Sequence, residues 1–567
     1  MGIFKFSKET LIGQVVAVDT ATVVVKVSEE SVLSEIQVNN LVTIKASKQR
    51  QTLIGMVSKI IRKFGELSDD EDELENNDIV KITLIGTFLD RVGTEENIFK
   101  RTLESVPEIT AKCYIMDSED LCNFMSILSK SSEEEKNSLT IGHYALNKDA
   151  CAYLDGNRLF QKHAVIVGST GSGKSCTVAT LIEQIAKLDS SNAIVFDIHG
   201  EYTPIVGENI KQYKIAGPTD TISPEILYLP YWLLTYEEMM SMMIDRSDNN
   251  APNQAMVFSR TVLEKKKDFL SRNGKTEIAE DITIDSPVPY DIQDVLAKLN
   301  ELNVEMVPGA TKGKEKKGDF NGTLSRFIQR LENKIADKRL HFLFSPEVSL
   351  LDYDYLNQLC SKLMLPASAD GGVKIINFSE VPSDILPLVV SQVARLIFSV
   401  QQWMSRESIS PIAIFCDEAH LYIPQNSNQG IESQSLTNFE RIAKEGRKYG
   451  IGLVVITQRP SEVDRTVLSQ CSNFIAMRLT NSDDQNVIKK LLPDSLGNFG
   501  ELLPILDVGE ALIVGDASLL PSRIIVDKPN PEPNSATIEF WTEWAKESAD
   551  NTLENAVESL RRQAKIN

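Results

Sequence analysis

The hydrophobic pattern changes three times along the chain. Residues 1 to about 140 alternate apolar and polar positions in short runs: "GQVVAVDTATVVVKVS", "LVTIKA", "LIGMVSKII" and "IVKITLIGTFL". β-branched residues dominate and no long helical period shows. This predicts a small β-barrel or sandwich. From about 141 the runs become continuous: "HAVIVG" (163–168), "NAIVFDI" (192–198), "VKIINF" (373–378), "IAIFCD" (412–417) and "GLVVIT" (452–457). Helical stretches separate most of them, the signature of buried parallel strands with crossover helices. The fold class expected is a doubly wound α/β core with an N-terminal all-β barrel.

Between 222 and 365 that rhythm breaks. "TYEEMMSMMIDR", "QAMVFSRTVLEKKKDFLSR", "PYDIQDVLAKLNELN" and "LSRFIQRLENKIADKRL" read as helices of an inserted lobe, and the Gly- and Lys-rich stretch 306–322 as a mobile loop. "GEALIVG" and "PSRIIVD" read as two closing strands. "PNPEPNSA" reads as a linker, and the last 30 residues as a polar helix. The domains expected are therefore a barrel at 1–140, core parts at 141–221 and 366–530, the lobe at 222–365, and a tail at 531–567.

Composition narrows the class. Hydrophobic content of 42% and charged content of 25% are those of a globular protein. No apolar run reaches the roughly 18 residues that span a bilayer. "MGIFKFSKET" has no apolar signal core, and Phe6 stands where myristoylation needs Ser or Thr. No membrane partner and a cytoplasmic location are expected. Seven scattered Cys and five scattered His argue against a disulfide framework or a zinc site. The net charge of −21 argues against nucleic acid when taken alone. Charge is uneven, however. Residues 65–78 ("GELSDDEDELENND") carry eight acids and no base and read as a solvated acidic loop. Basic runs occur at 264–275 ("EKKKDFLSRNGK") and 311–319 ("TKGKEKKGD"). A ring with an acidic outside and a basic bore accommodates both.

The candidate chemistry starts after "HAVIV". Gly168, Ser169, Thr170, Gly171, Ser172, Gly173, Lys174 and Ser175 fit the P-loop pattern GxxxxGK[ST], between a predicted strand and a predicted helix. Glycines let successive N–H groups face one anion, and the helix N-terminus adds positive charge. Lys174 reaches the β- and γ-phosphates of ATP, and Ser175 ligates Mg²⁺. The nucleotide-binding set runs on to Cys176. The strand "PIAIFCDEAHLYIP" ends in Asp417 and Glu418, where Mg²⁺ needs a carboxylate and water a general base; Asp417 takes the first role and Glu418 the second. "FDIHGEY" places Asp197, His199 and Glu201 at a third strand end, either at the nucleotide or as turn chemistry. Gln458, in "VVITQRP", is either a γ-phosphate sensor or an ordinary strand cap. Arg441 and Arg447, in "FERIAKEGRKYG", are either solvated surface arginines or the positive charge that a neighbouring copy lends to hydrolysis.

These stretches resemble the HerA family of FtsK-like hexameric ATPases. The likeness rests on "GHYALNKDACAYLDGNRLFQKHAVIVGSTGSGKS", on "DIHGEY", on "DEAHLYIP" with "RIAKEGRKYGIGLVVITQRPSEVDRTVLSQCSNFIAMRLTNSDD", and on "GEALIVGDASLLPSRIIVDKP". It covers about half the chain. The resemblance implies a RecA-like core, a HAS-type barrel, a homo-hexamer that hydrolyses ATP between subunits, and double-stranded DNA in the central channel. It makes Arg441 and Arg447 candidates to act in trans, Arg447 preferred. It also implies a partner, either a NurA-type nuclease in DNA-end resection or a nuclease or sirtuin-type NADase in anti-phage defence, docked on the barrel. The acidic net charge and the lack of a DNA-binding module keep a second reading open: an ATP-stabilised ring that scaffolds an effector with little translocation. A membrane-coupled secretion ATPase and a protein unfoldase fit less well, for want of an anchor and of the matching motifs.

Overall fold

The computed structural model describes the chain apart from residues 1–3, 5, 7–9, 35, 47, 49, 63–77, 91–96, 104, 134–137, 246, 309–313, 346, 428–429, 493–498, 519, 536–537, 546–549 and 564–567. The acidic stretch 65–78 lies outside the described residues except for Asp78.

Seven strands come first: β1 (Leu11–Asp19), β2 (Thr22–Val27), β3 (Leu41–Lys45), β4 (Gln51–Ile61), β5 (Ile79–Leu89), β6 (Ile98–Lys100) and β7 (Lys112–Ile115). Helix α1 (Ser118–Glu133), strands β8 (Ser138–Tyr144) and β9 (Asn147–Asp155), α2 (Gly156–Gln161), β10 (Ala164–Val167) and α3 (Lys174–Ala186) follow. Next are β11 (Ala193–Asp197), β12 (Ile210–Ile215) and β13 (Ile226–Leu227). The lobe holds α4 (Tyr236–Met243), α5 (Ala251–Arg272), α6 (Thr276–Asp281), α7 (Ile292–Val304), β14 (Met306–Pro308), β15 (Glu315–Lys317), α8 (Ser325–Ala336), α9 (His341–Phe344) and α10 (Tyr355–Met364). The chain then runs through β16 (Val373–Asn377), α11 (Leu386–Trp403), β17 (Ile412–Cys416), α12 (Ile431–Glu445), β18 (Ile451–Thr457), α13 (Arg465–Ser469), β19 (Asn473–Ala476) and α14 (Ser482–Leu491). It ends in β20 (Glu510–Gly515), β21 (Ser522–Val526), α15 (Phe540–Trp544) and α16 (Asp550–Arg562).

Two compact units are present. The first comprises Met1–Leu188, Gln458–Ser461 and Cys471–Glu532. Its barrel strands run β2-β1-β7-β3-β4-β5, and β2 pairs with β5 to close six antiparallel strands; β6 adds to β5 outside the ring. Alternation drives the closure. Val23, Val25, Val42, Ile44, Val80 and Ile82 point inward and are fully buried, so alternate β-branched residues of these strands fill the barrel. Closure also removes the exposed strand edges. The unit's other sheet runs β10-β19-β20-β21-β8-β9; β10 and β19 are parallel and the remaining pairs antiparallel.

The second unit comprises Asp189–Thr457, Glu462–Gln470 and Pro533–Asn567. Its strands run β13-β12-β16-β11-β17-β18, all parallel. β11, β17 and β18 are buried along their whole length, which explains their unbroken apolar sequences. α11 and α12 cross over between β16, β17 and β18, and the lobe α4–α10 is inserted between β13 and β16. No described helix is long and apolar enough to cross a membrane.

The core is the expected α/β P-loop architecture with its barrel. Four details differ. The N-terminal region contains α1, whose Phe124 packs edge-on against Phe88 and Phe99 with ring centroids 6.0 and 5.4 Å away. β12 and β19 were not evident as strands. The stretch 306–322 is not simply a loop, because 306–308 and 315–317 pair as a hairpin. The tail is two helices, and the first exposes Phe540, Trp541 and Trp544 rather than polar residues.

Candidate nucleotide site

In the first unit, β10 is buried throughout and stops at Gly168. The loop then turns tightly. Ser172 N–H donates to Ser169 O (3.0 Å), Ser169 N–H to Arg478 O (2.8 Å), and Gly509 N–H to Ser172 O (2.9 Å). Gly173 caps α3 at φ +102°, a left-handed conformation that costs other residues about 1–2 kcal/mol. At Gly168 the constraint is space: a Cβ there would stand 2.3 Å from Ser172 Oγ. The result is a loop of small residues at the start of a 13-residue helix, whose first N–H groups have no partner within the helix. Lys174 and Ser175 open that helix and are 5% and 9% exposed. Ser172 Oγ is buried without a hydrogen-bond partner among the described residues. Cys176 follows on the first turn with a half-buried thiol. Thr170 Oγ1 donates to Gln458 Oε1 at 2.6 Å, so the fold brings Gln458 onto the loop. That contact joins residues 288 positions apart, and no local pattern announces it.

In the second unit, β17 is followed directly by Asp417 and Glu418, 0% and 2% exposed. Glu418 has φ +45°, an uncommon left-handed conformation for a non-glycine residue and one that clusters at functional sites. Its Oε2 lies 3.4 Å from His420 Nδ1, and that nitrogen lies 3.2 Å from Thr457 Oγ1 at the end of β18. Tyr422 donates its hydroxyl to Asp417 O at 2.8 Å. Asp197, at the end of β11, accepts from the N–H groups of Glu201 (2.9 Å) and Tyr202 (3.0 Å). Burial, with Asp417's charge adding to it, pushes its carboxyl up to about 7. Tyr202 is fully buried, and burial together with the charges of Asp417, Glu201, Asp197 and Glu418 drives its phenol well above the ordinary value. Asp197 is thus engaged in turn chemistry, Glu201 contributes charge beside Tyr202, and His199 is exposed.

Buried carboxylates held this close call for a counter-charge. Among the described residues no group of three or more His, Cys, Asp or Glu has the arrangement of a protein-made metal cage. Mg²⁺ keeps waters and phosphate oxygens and takes only one or two protein ligands. The Ser175 hydroxyl in the first unit and the Asp417 carboxylate in the second are each an oxygen donor of the kind Mg²⁺ takes. Tyr202, His420 and Thr457 escaped the sequence reading, although His420 stands inside "DEAH" and Thr457 directly precedes Gln458.

The two arginines differ. Arg441 on α12 lies over the Phe398 ring (5.0 Å), donates to Gln402 Oε1 (3.3 Å) and sits 3.8 Å from Glu445. Arg447 is exposed on the turn after α12 and makes no side-chain hydrogen bond or ion pair among the described residues.

The family description "Helicase HerA, central domain" matches residues 139–397. That match places a HerA-like domain in the middle of this chain. The HerA match covers the P-loop, the "DIHGEY" turn and the inserted lobe. Relatives include the DNA double-strand break repair helicase HerA of Saccharolobus solfataricus, 27% identical over 394 residues, 68% of each chain. The probable DNA double-strand break repair helicase HerA of Methanocaldococcus jannaschii is 26% identical over 435 residues, 72% of this chain and 79% of that one. Among solved structures, the bacterial conjugative coupling protein TrwB is similar with a TM-score of 0.44 at 13% identity, over 74% of this chain and 94% of that one.

Proposed function

We propose that this chain is a HerA-family ATP hydrolase that drives double-stranded DNA through a homo-hexameric ring. The observation that carries the reading is the P-loop: a cradle of small residues ending in two buried side chains, Lys174 and Ser175, inside the HerA-like domain. Lys174 and the helix N-terminus neutralise the phosphates of ATP, Ser175 and Asp417 hold Mg²⁺, and Glu418 activates the attacking water. Thr170 orients Gln458 as the sensor of the γ-phosphate. Arg447, rather than the engaged Arg441, reaches the ATP of the neighbouring copy. The relatives' names support DNA as the substrate. A partner nuclease of NurA type, or a nuclease or sirtuin-type NADase effector, docks on the barrel, and the location is cytoplasmic.

The test measures ATP turnover with and without duplex DNA. Lys174→Ala is expected to abolish turnover, and Glu418→Gln to bind ATP without hydrolysing it. Normal hydrolysis in Lys174→Ala removes the P-loop assignment. The net charge of −21 favours a second reading, the scaffolding ring. Full biological function in Glu418→Gln favours that ring over the motor.

A further inference from the structure

The chain has two basic runs, and the fold treats them differently. The run at 264–275 lies on and just after α5 and is largely consumed there. Lys266 is buried and donates to Ile284 O and Ser286 O at 2.7 Å each. Lys265 pairs with Asp268 (3.6 Å), Arg272 Nε donates to Asp268 O (3.3 Å), and Lys275 lies over the Tyr353 ring (5.2 Å). Lys266 and Lys275 tie this helix end to other parts of the lobe, and Lys265 and Arg272 are engaged within α5.

The described lysines of the second run, Lys314, Lys316 and Lys317, are left to solvent. β14 and β15 pair antiparallel, with Met306 opposite Lys317, Val307 opposite Lys316 and Pro308 opposite Glu315. Opposed residues share a face and neighbours alternate. Lys316 therefore shares a face with Val307, and Lys314 falls on the same side. Lys317 lies on the other side with Met306. All three lysines are exposed, and none makes an ion pair among the described residues. Met306 is itself 49% exposed. The root of the hairpin is tied to the end of α7: Gly318 N–H and Asn321 Nδ2 donate to Glu305 O at 2.9 and 3.0 Å, and Gly322 N–H donates to Asn303 O at 2.9 Å. A fixed root thus carries Lys314, Lys316 and Lys317 with no ion pair among the described residues.

We propose that the β14–β15 hairpin is a DNA-contacting element of this chain, with Lys314, Lys316 and Lys317 bound to backbone phosphates of a duplex. This rests on the DNA-translocase reading and names the surface that reading lacks. A two-stranded ribbon is one of the shapes that the major groove of B-DNA, about 12 Å wide, admits. The overall charge of −21 does not oppose it. At physiological salt, charges beyond about 8 Å are largely screened, so the local groups, Lys314, Lys316 and Lys317 against Glu305, Glu315 and Asp319, set the potential that a phosphate meets.

The experiment uses the full chain and a fluorescent duplex, with anisotropy titrations between roughly 50 and 200 mM salt. The variants are the triple Lys314→Ala/Lys316→Ala/Lys317→Ala and the same triple to Arg. Three lost phosphate contacts, each adding about 0.9 to the slope of log affinity against log salt, should flatten it by about 2.7. The Arg triple should keep the slope. Basal ATP turnover should persist in the Ala triple, with its stimulation by DNA reduced. An unchanged slope in the Ala triple overturns the assignment. So does a changed sedimentation mass with unchanged DNA binding, which makes the hairpin a contact to the acidic surface of another copy. Wild-type chain that binds no duplex sinks the translocase reading itself, and the hairpin's target with it.

Discussion

Glu238 offers a direct measure of how the lobe is tied to the helix bearing Arg441. It sits on α4 and is 1% exposed. Its carboxylate accepts from Arg395 Nε (2.7 Å) and Nη2 (2.9 Å) on α11, from Asn438 Nδ2 (3.2 Å) on α12, and from Thr235 N–H (2.9 Å). Thr235 in turn accepts from Glu238 N–H, completing a capping box. One buried carboxylate therefore joins three helices. Glu238→Gln keeps the shape and removes the charge. Breaking a buried pair from one side costs about 3–5 kcal/mol. The Arg395 side chain is still 18% exposed, so water partly solvates the stranded guanidinium, which points to the lower end, about 3 kcal/mol. Glu238→Ala also strands Thr235 N–H and Asn438, at about 1 kcal/mol each, for a total near 5 kcal/mol. Replacing both partners, Glu238→Leu with Arg395→Met, should cost less than either single change, because no charge is left unpaired. Urea unfolding followed by tryptophan fluorescence is a suitable assay. Of the four tryptophans, Trp232 is fully buried, whereas Trp403, Trp541 and Trp544 are 89%, 82% and 66% exposed. The emission shift therefore reports the segment beside Leu233, whose carbonyl also accepts from Arg395. A Glu238→Gln chain within about 0.5 kcal/mol of wild type, the range of neutral surface changes, would refute the reasoning.

Three further outcomes are expected. Gly173→Ala forces φ +102° on a residue whose Cβ would stand 3.0 Å from Met477 Cε; at about 1–2 kcal/mol, ATP affinity should fall about tenfold in a fluorescent-nucleotide titration, and unchanged affinity would clear the loop of that role. Arg447→Ala should bind nucleotide yet hydrolyse it slowly, and mixing it with Glu418→Gln should restore some turnover; no recovery at any ratio argues against action in trans. Lys374 donates to Asn192 Oδ1, Leu363 O and Leu365 O, and burial, followed by the charge of Lys211, pushes its amine from 10.5 down to about 7. Between those values the unfolded chain holds a proton that the folded chain has released, so stability should rise with pH there, by at most about 1.4 kcal/mol per unit, and Lys374→Met should lose that slope. An identical slope in the variant would place the titration elsewhere.

What the sequence reveals divides along a physical line. Backbone demands are local and therefore legible. Strands buried on both faces are apolar almost throughout, so β10, β11, β17 and β18 stand out, and β16 does too despite its buried Lys374. β12 alternates Lys211 and Lys214 with buried Tyr213 and Ile215 near the edge of its sheet and does not. β19 opens on the polar Asn473 and leaves only three apolar residues, whereas the equally short β10 is apolar at every position. α1 has its apolar positions at helical spacing, Leu121, Phe124, Met125 and Leu128, but they lie among β-rich neighbours that dominate any window. The same line runs through the site. Glycine at 173 is dictated by its own φ, and an acid pair closing an apolar strand reads directly as Asp417 and Glu418. Partnerships between distant side chains follow no local rule: Thr170 with Gln458, His420 with Thr457, Glu238 with Arg395. Arg441 and Arg447 make the case most sharply, being six positions apart in one basic stretch and alike in chemistry. Phe398, Gln402 and Glu445 occupy the first, and the fold leaves the second facing solvent. A guanidinium already stacked and paired must break those contacts before it serves another subunit, whereas Arg447 has no side-chain hydrogen bond or ion pair to break among the described residues, and this is the physical reason to seek the trans-acting charge there.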